Sequence, residues 1–161
     1  MSSQGPHEMA SPMLSSLGVT GVTVETIELK LPSRLEAVGE GATTIADFLS
    51  RVGIGEEAAF GIDMAVREGI ANAIIHGNKL DENKFVTINV TKSPDLLEIS
   101  VRDQGEGFNP NTVSDPTSEE NILKTSGRGI FFMRTFMDQV DWSVHPEGGT
   151  VLRMIKKIEK S

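Results

Sequence analysis

The chain has 161 residues, a formal net charge of −8 and no cysteine. This length corresponds to one domain with a sizeable core, and the lack of cysteine excludes disulfides and thiolate metal sites. The acidic balance argues against a general binder of nucleic acid or membrane surfaces, because such proteins need a basic footprint.

The first part of the chain predicts a disordered leader. Residues 1–20 are rich in Ser, Pro and Gly and offer little to bury. They contain no sustained apolar run, and the first Lys or Arg is Lys30, so we expect no signal peptide. No stretch reaches the ~18 apolar residues of a transmembrane helix. Together with the lack of cysteine, this favours a cytoplasmic protein whose folded domain covers residues 21–161.

Alternation of apolar and polar residues predicts the first strand. It runs over residues 26–31 with the period of a half-buried strand, and Pro32 ends it. Ser33 and Glu36 have the S-x-x-E form of a capping box, so a helix is expected to follow to about Arg51.

A second helix, over about residues 56–75, is the element around which the rest is organised. At about 100° per residue, one apolar sector forms, and Glu68, Asn72 and His76 follow one another at four-residue steps along its border. The sector comprises Ile62, Val66, Gly69, Ile70 and Ala73. A carboxylate, a carboxamide and an imidazole therefore lie at the edge of a core. Gly77 is expected to end the helix as a left-handed C-cap.

The second half of the chain predicts strands around a long loop. Two alternating strands, at residues 86–90 and 97–101, form a hairpin that delivers the chain to Asp103. Residues 104–126 lack periodicity, which indicates a functional loop or lid. A helix and two strands follow, at residues 130–137, 140–144 and 150–158. This order predicts an α/β two-layer sandwich, in which three helices cover one face of a mixed, mostly antiparallel sheet of about five strands.

The segment DQGEGF at residues 103–108 carries the first chemical signal. An Asp at a strand exit followed by glycines places a carboxylate beside backbone that can bend sharply and approach a flat ligand. An ionised carboxylate only accepts hydrogen bonds, so it suits an exocyclic amine such as that of adenine. A plain turn is the alternative. A calcium loop fits poorly, because Gly stands where an EF-hand needs oxygen ligands.

Two further groups suit a nucleotide phosphate. Gly127-Arg128-Gly129 opens a predicted helix, where free amides and the helix dipole favour an anion. Lys124 and Arg128 are candidates for contact with a terminal phosphate. The alternative is an ordinary hinge whose charged side chains are solvated. Asn72 offers a neutral oxygen suited to a hydrated Mg²⁺, and Glu68 could deprotonate an attacking hydroxyl. The alternative for both is a polar helix face.

The combination of these motifs resembles the Bergerat ATP-binding fold of histidine kinases and type II topoisomerases. Four motifs stand in its order: Glu68-x-x-x-Asn72 on a helix, Asp103-x-Gly105-x-Gly107-Phe108 after a strand, Gly127-x-Gly129 at a helix start and Gly149-Thr150 at the last strand. Within this fold the chain is most similar to the stand-alone anti-sigma factor serine/threonine kinases of bacteria, over roughly residues 24–157.

The resemblance implies an enzyme that uses ATP and Mg²⁺ to phosphorylate a protein serine. Glu68 would be the general base, Asn72 would hold Mg²⁺ and Asp103 would bind the adenine amine, beneath an ATP lid over about residues 104–127. The implied nucleotide-binding set is Asn72, Asp103, Gly105, Gly107, Phe108, Lys124, Gly127, Arg128, Gly129, Ile130 and Thr150.

The resemblance also implies partner switching. Members of this family hold a sigma factor inactive, phosphorylate a STAS-type antagonist and pair as homodimers, for which the strand over residues 22–31 is the expected edge. Thr125 stands where some of these kinases carry Arg. The alternative is therefore an ATP-binding module that sequesters a partner without kinase activity, in a pathway that involves no sigma factor.

Overall fold

A computed structural model describes residues 13–19, 22–105 and 129–158 of the chain. Six strands and three helices make up this part of the chain. The strands are β1 (Met13–Val19), β2 (Val22–Pro32), β3 (Phe85–Lys92), β4 (Leu96–Arg102), β5 (Gln139–Val144) and β6 (Thr150–Lys157). The helices are α1 (Glu36–Arg51), α2 (Glu56–Asn72), which continues into a π-helical turn (Ala73–Gly77), and α3 (Gly129–Phe136).

The strands form one sheet in the order β1-β2-β3-β4-β6-β5. Every neighbouring pair is antiparallel. The predicted fold class, a sheet covered by helices, is confirmed, but the sheet has six strands and contains no parallel pair among the described residues. The reason lies in the connections. Two helices between β2 and β3 return the chain to the end of the sheet that it left, and a hairpin turn joins β5 to β6.

The sixth strand comes from the predicted leader. Residues 13–19 form β1 and pair along their whole length with β2, so the prediction of disorder was wrong for that stretch, while residues 1–12 lie outside the described part. An outer strand can be held by backbone hydrogen bonds alone, and these leave no alternation of apolar residues in the sequence from which the strand could be predicted. As a result β2 lies between β1 and β3, and the prediction that residues 22–31 form an edge was wrong. Among the described strands, β1 and β5 are the outer ones.

The core lies between the sheet and the helices. The predicted apolar sector of α2 is buried, with Ile62, Val66 and Ile70 at most 1% exposed. Glycines bring helix and sheet close together: a Cβ at Gly69 would lie 2.9 Å from Leu152 Cδ2 on β6. The C-terminal half of α2 therefore runs over β4 and β6. Of the helices in the described part, none is long and apolar enough to cross a membrane.

The predicted capping box does not form. Helix α1 begins at Glu36 after Leu35, and no side chain caps it. Ser33 is fully buried instead. Its hydroxyl donates to the Lys84 carbonyl at 2.7 Å and accepts from the Asn78 carboxamide at 2.9 Å. The S-x-x-E pattern was misleading because Ser33 finds hydrogen-bond partners far along the chain, which satisfy it better than the helix start would.

Two isoleucines of the central helix test the core. Ile70→Ala removes a fully buried side chain and should lower the free energy of unfolding by about 2–5 kcal/mol. Ile75→Ala changes a side chain that is 37% exposed and should cost about 1 kcal/mol or less. Urea unfolding followed by circular dichroism measures both. Equal losses would contradict the packing described here.

Candidate functional site

The end of the central helix meets the end of β4. α2 gives way at Ala73 to a π-helical turn, a feature frequent at functional sites. Gly77 closes this turn without a positive φ, so its prediction as a left-handed C-cap was wrong. The chain reverses at Lys79 and Leu80 instead, which have φ of 52° and 59°. Gly77 is required for another reason: a Cβ there would collide with the Asp103 carboxylate.

Asp103 is the buried carboxylate of the site, with 6% of its surface exposed. Its Oδ1 accepts hydrogen bonds from the amides of Gly105 and Thr150, both at 3.0 Å. Its own amide donates to the Thr150 carbonyl at 3.0 Å. Oδ2 has no hydrogen-bond donor among the described residues. One carboxylate oxygen is therefore fixed by the backbone, and the other is left as an acceptor.

Two more glycines close the backbone around Asp103. A Cβ at Gly105 would collide with the Gly77 carbonyl, and a Cβ at Gly149 would collide with the Asp103 carbonyl. Gly149 also has a φ of +88°, which side chains rarely adopt. Three segments that are distant along the chain thus converge: the end of the central helix, the Asp103–Gly105 segment and the start of β6.

The electrostatics of Asp103 combine opposing effects. Burial raises the pKa of this carboxyl above its ordinary value of 3.8. The amide hydrogen bonds from Thr150 and Gly105 lower the pKa, and so do the charges of Lys84 and Arg102, but they do not cancel the effect of burial. Hydrogen bonds donated to a carboxylate favour its ionised form, so the two backbone amides act in favour of an acceptor.

Glu68 and Asn72 lie half-buried on α2. Neither side chain forms a hydrogen bond or ion pair with the residues that the structure describes. Asn72 precedes Gly77 by five residues in one continuous helical segment, or roughly 7 Å along the axis. Both side chains therefore stand along the helix that ends at Asp103. His76 is exposed on the π-helical turn.

At α3, the described part of the site is limited to the beginning of the helix. Gly129 and Ile130 open α3 and are buried, and the Ile130 side chain belongs to the hydrophobic core, which leaves its backbone for contact with a ligand. The other predicted residues of the lid and of the glycine pair lie outside the described residues: Gly107, Phe108, Lys124, Thr125, Gly127 and Arg128.

The arrangement fits an adenine nucleotide. A carboxylate oxygen that has no donor among the described residues, beside a glycine-lined backbone, suits an amine at the edge of a flat ring. Among the described residues no group of three His, Asp or Glu side chains could hold a metal ion. A Mg²⁺ here would take one protein ligand, for which the Asn72 oxygen is suited, and complete its shell with phosphate oxygens and water.

Sequence reasoning missed Asn78, which is 1% exposed. Its Oδ1 accepts from the Gln104 amide at 2.7 Å, and its Nδ2 donates to the Ser33 hydroxyl and to the Phe85 carbonyl. The residue follows Gly77 directly. The only sequence signal is a polar residue beside a glycine, and that pattern equally describes an ordinary helix end.

Comparisons with known proteins bear on the same segments. A family model described as the histidine kinase-like ATPase domain matches residues 31–156. A serine-protein kinase RsbW of Oceanobacillus iheyensis is 30% identical over 138 residues, which cover 82% of this chain and 86% of that protein. An anti-sigma F factor of Clostridium perfringens is 33% identical over 134 residues, which cover 82% of this chain and 96% of that protein. The region that the family model matches contains every described segment of the site.

The contact between Gly77 and Asp103 can be tested with one methyl group. Gly77→Ala should lower the free energy of unfolding by about 1–3 kcal/mol, because the methyl group must displace the carboxylate or the helix end. Gly39→Ala, on α1 with nothing within 4 Å of an added Cβ, should instead be neutral or stabilise by up to about 1 kcal/mol. Urea unfolding measures both. A neutral Gly77→Ala would contradict the close approach.

Asp103 also predicts a pH dependence of stability. Because its pKa is raised above 3.8 in the folded protein, the folded state holds this proton more tightly than the unfolded chain. Asp103 therefore makes stability fall as pH rises from 3.8 through the folded-state pKa, and its penalty stays constant above that. Asp103→Asn does not titrate, so its stability relative to the unsubstituted protein should rise across this window.

Urea unfolding of both proteins, from about pH 3.5 to about pH 7, measures that difference. The comparison cancels the titration of every other group. A difference that stays flat or falls as pH increases would contradict the raised pKa.

Proposed function

Because the chain belongs to the family of histidine kinase-like ATPase domains, we propose that it is an ATP- and Mg²⁺-dependent protein serine/threonine kinase that acts as an anti-sigma factor. The observation that carries this proposal is the Asp103 carboxylate, with one oxygen fixed by two amides and the other left as an acceptor. The names of the relatives, serine-protein kinase and anti-sigma factor, supply the reaction and the kind of partner.

In this proposal Asp103 binds the adenine amine through Oδ2. The acceptor is the carboxylate oxygen that the two amides leave without a hydrogen bond, so the base is recognised by a group whose orientation is already set. Thr150 adds its hydroxyl beside the base, and Gly105 keeps side chains out of the approach. Gly107 and Phe108 would extend this pocket, and the Gly127–Gly129 segment with Lys124, Arg128 and the Ile130 backbone would surround the phosphates.

Asn72 would hold Mg²⁺ through its carboxamide oxygen, and bound Mg²⁺ would neutralise charge on the phosphates. Glu68 lies one helical turn before Asn72, on the same side of α2. Its carboxylate accepts the proton of a serine hydroxyl as the serine oxygen bonds to the terminal phosphorus of ATP and the bond to ADP breaks. Glu68 and Asn72 are half-buried and have no partner among the described residues, as expected of side chains that bind a ligand.

The partners follow from the names of the relatives and from the resemblance. We propose that the chain sequesters a sigma factor and phosphorylates a serine of a STAS-type antagonist, and that it does so in the cytoplasm. We also propose a homodimer. The described ends of the sheet, β1 and β5, are the places where a second copy could add a strand, since β2 is covered on both sides.

A second candidate function is favoured by one residue. Thr125 precedes Ser126-Gly127 where some of these kinases carry Arg. If Lys124 or Arg128 does not supply the missing charge, the protein would bind ATP and sequester its partner without transferring phosphate. Tight ATP binding with no phosphorylated product from any partner would select this function.

Phosphotransfer from labelled ATP to STAS-domain proteins of the same organism tests the kinase. Glu68→Gln should lower the transfer rate by about a hundredfold or more, since it removes the general base, while ATP affinity changes little. Glu57→Gln, an exposed acid in the first turn of the same helix, is the matched control and should keep the rate. Undiminished transfer in Glu68→Gln would mean that another group accepts the proton.

A further inference from the structure

The Asn78 carboxamide connects its own segment to three others, at Ser33, Phe85 and Gln104. It lies just past the π-helical turn and is buried. Its Oδ1 accepts from the Gln104 amide at 2.7 Å. Its Nδ2 donates to Ser33 Oγ at 2.9 Å and to the Phe85 carbonyl at 3.1 Å. Both donor hydrogens and the acceptor oxygen are therefore engaged, which is the condition under which a buried amide is stabilising.

Gln104 is held from two directions. Its amide donates to Asn78, and its side-chain Oε1 accepts from the Phe85 amide at 2.6 Å. The side chain itself is exposed, so these bonds do not serve to bury it. They fix the backbone between Asp103 and Gly105. Since the Gly105 amide is one of the two donors to Asp103 Oδ1, the position of Gln104 sets where that donor points.

We propose that Asn78 is a positioning residue that sets the orientation of the Asp103 carboxylate and thereby the selectivity for the amine of adenine. This inference rests on the proposed function. Asn78 Oδ1 holds the Gln104 amide, Gln104 places the Gly105 amide, and Gly105 fixes Oδ1 of Asp103, so that Oδ2 faces the base. Asn78 itself touches no part of the nucleotide in this scheme.

The chemistry of the residue matters as well as its burial. An aspartate at position 78 would keep the acceptor for the Gln104 amide but lose both donor hydrogens, and it would set a buried charge against the Phe85 carbonyl. An apolar residue would leave the Gln104 amide without its acceptor. Only a carboxamide of this length satisfies Gln104, Ser33 and Phe85 together.

The test compares the affinities for ATP and inosine triphosphate, which carries a carbonyl oxygen in place of the amine. The ratio of the two affinities reports on the contact of the amine with Asp103, and a loss of stability alone leaves that ratio unchanged in the folded protein. Calorimetric titration of the full chain with each nucleotide, well below the unfolding temperature, measures it. Asn78→Ala should lower the ratio by about tenfold.

Two variants complete the design. Ser33→Ala is the matched control, because it removes a hydrogen bond of the same buried cluster but leaves the bond from Gln104 to Asn78; it should lose stability and keep the ratio. Gln104→Ala removes an exposed side chain and its hydrogen bond with the Phe85 amide, and leaves the buried Asn78 in place, so it should fold even where Asn78→Ala does not. Because the bond from the backbone amide at position 104 to Asn78 remains, and this bond acts directly on the backbone, Gln104→Ala should lower the ratio less, by about threefold.

The outcomes separate the two proposals. An unsubstituted protein that binds ATP and inosine triphosphate equally would overturn the assignment of the adenine site, and this inference with it. A clear preference for ATP in the unsubstituted protein that persists in Asn78→Ala and Gln104→Ala would leave the proposed function standing and overturn the role of Asn78. A Ser33→Ala protein with the same loss of preference as Asn78→Ala would also overturn that role.

Discussion

The site depends on one interaction, the pair of backbone amides that hold Oδ1 of Asp103. A buried carboxylate is costly in the absence of hydrogen bonds, and burial does raise the pKa of Asp103. The amides of Gly105 and Thr150 offset that cost without using a side chain, so the second oxygen remains an acceptor. Because both donors are backbone groups, their positions are set by the fold and do not depend on rotamers.

The close approach of three glycines is the condition for this arrangement. Gly77, Gly105 and Gly149 each lie where a Cβ would collide with Asp103 or with the backbone beside it. The three glycines belong to the end of the central helix, the exit of β4 and the entrance to β6. A side chain at any of them would therefore displace a helix or a strand as well as a loop. The packing of the core, which seats α2 over β4 and β6 through Gly69, therefore also sets the geometry of the site.

Local sequence patterns predicted the parts of the fold that local forces determine. The apolar sector of α2 and the alternating strands follow from the burial of one face, so Ile62, Val66 and Ile70 could be assigned to the core in advance. Asp103 and the glycines after it could be singled out as a candidate site, because a strand exit, a carboxylate and glycines that allow sharp turns fall within a few residues. The predictions failed where the deciding partner is distant or is backbone. Ser33 forms its hydrogen bond with Asn78 across 45 residues, and β1 is held by backbone pairing. A glycine can be required either by a positive φ or by a close approach of another atom, and the sequence alone does not distinguish these two reasons at Gly77.

In the proposed function, recognition of the base and the chemistry at the phosphates belong to different elements, which meet at the end of the central helix. Asp103 belongs to the exit of β4, while Glu68 and Asn72 belong to α2. A member of this family could therefore lose phosphate transfer and keep its affinity for ATP. For this reason the single difference at Thr125 suffices to motivate the second candidate function, ATP binding without phosphate transfer. The reverse separation is harder. Because α2 continues through the π-helical turn to Gly77, a shift of the helix that misplaces Asn72 also presses on the Asp103 carboxylate. In the proposed function, the helix would thus couple the residues at the phosphates to the residue that binds the base.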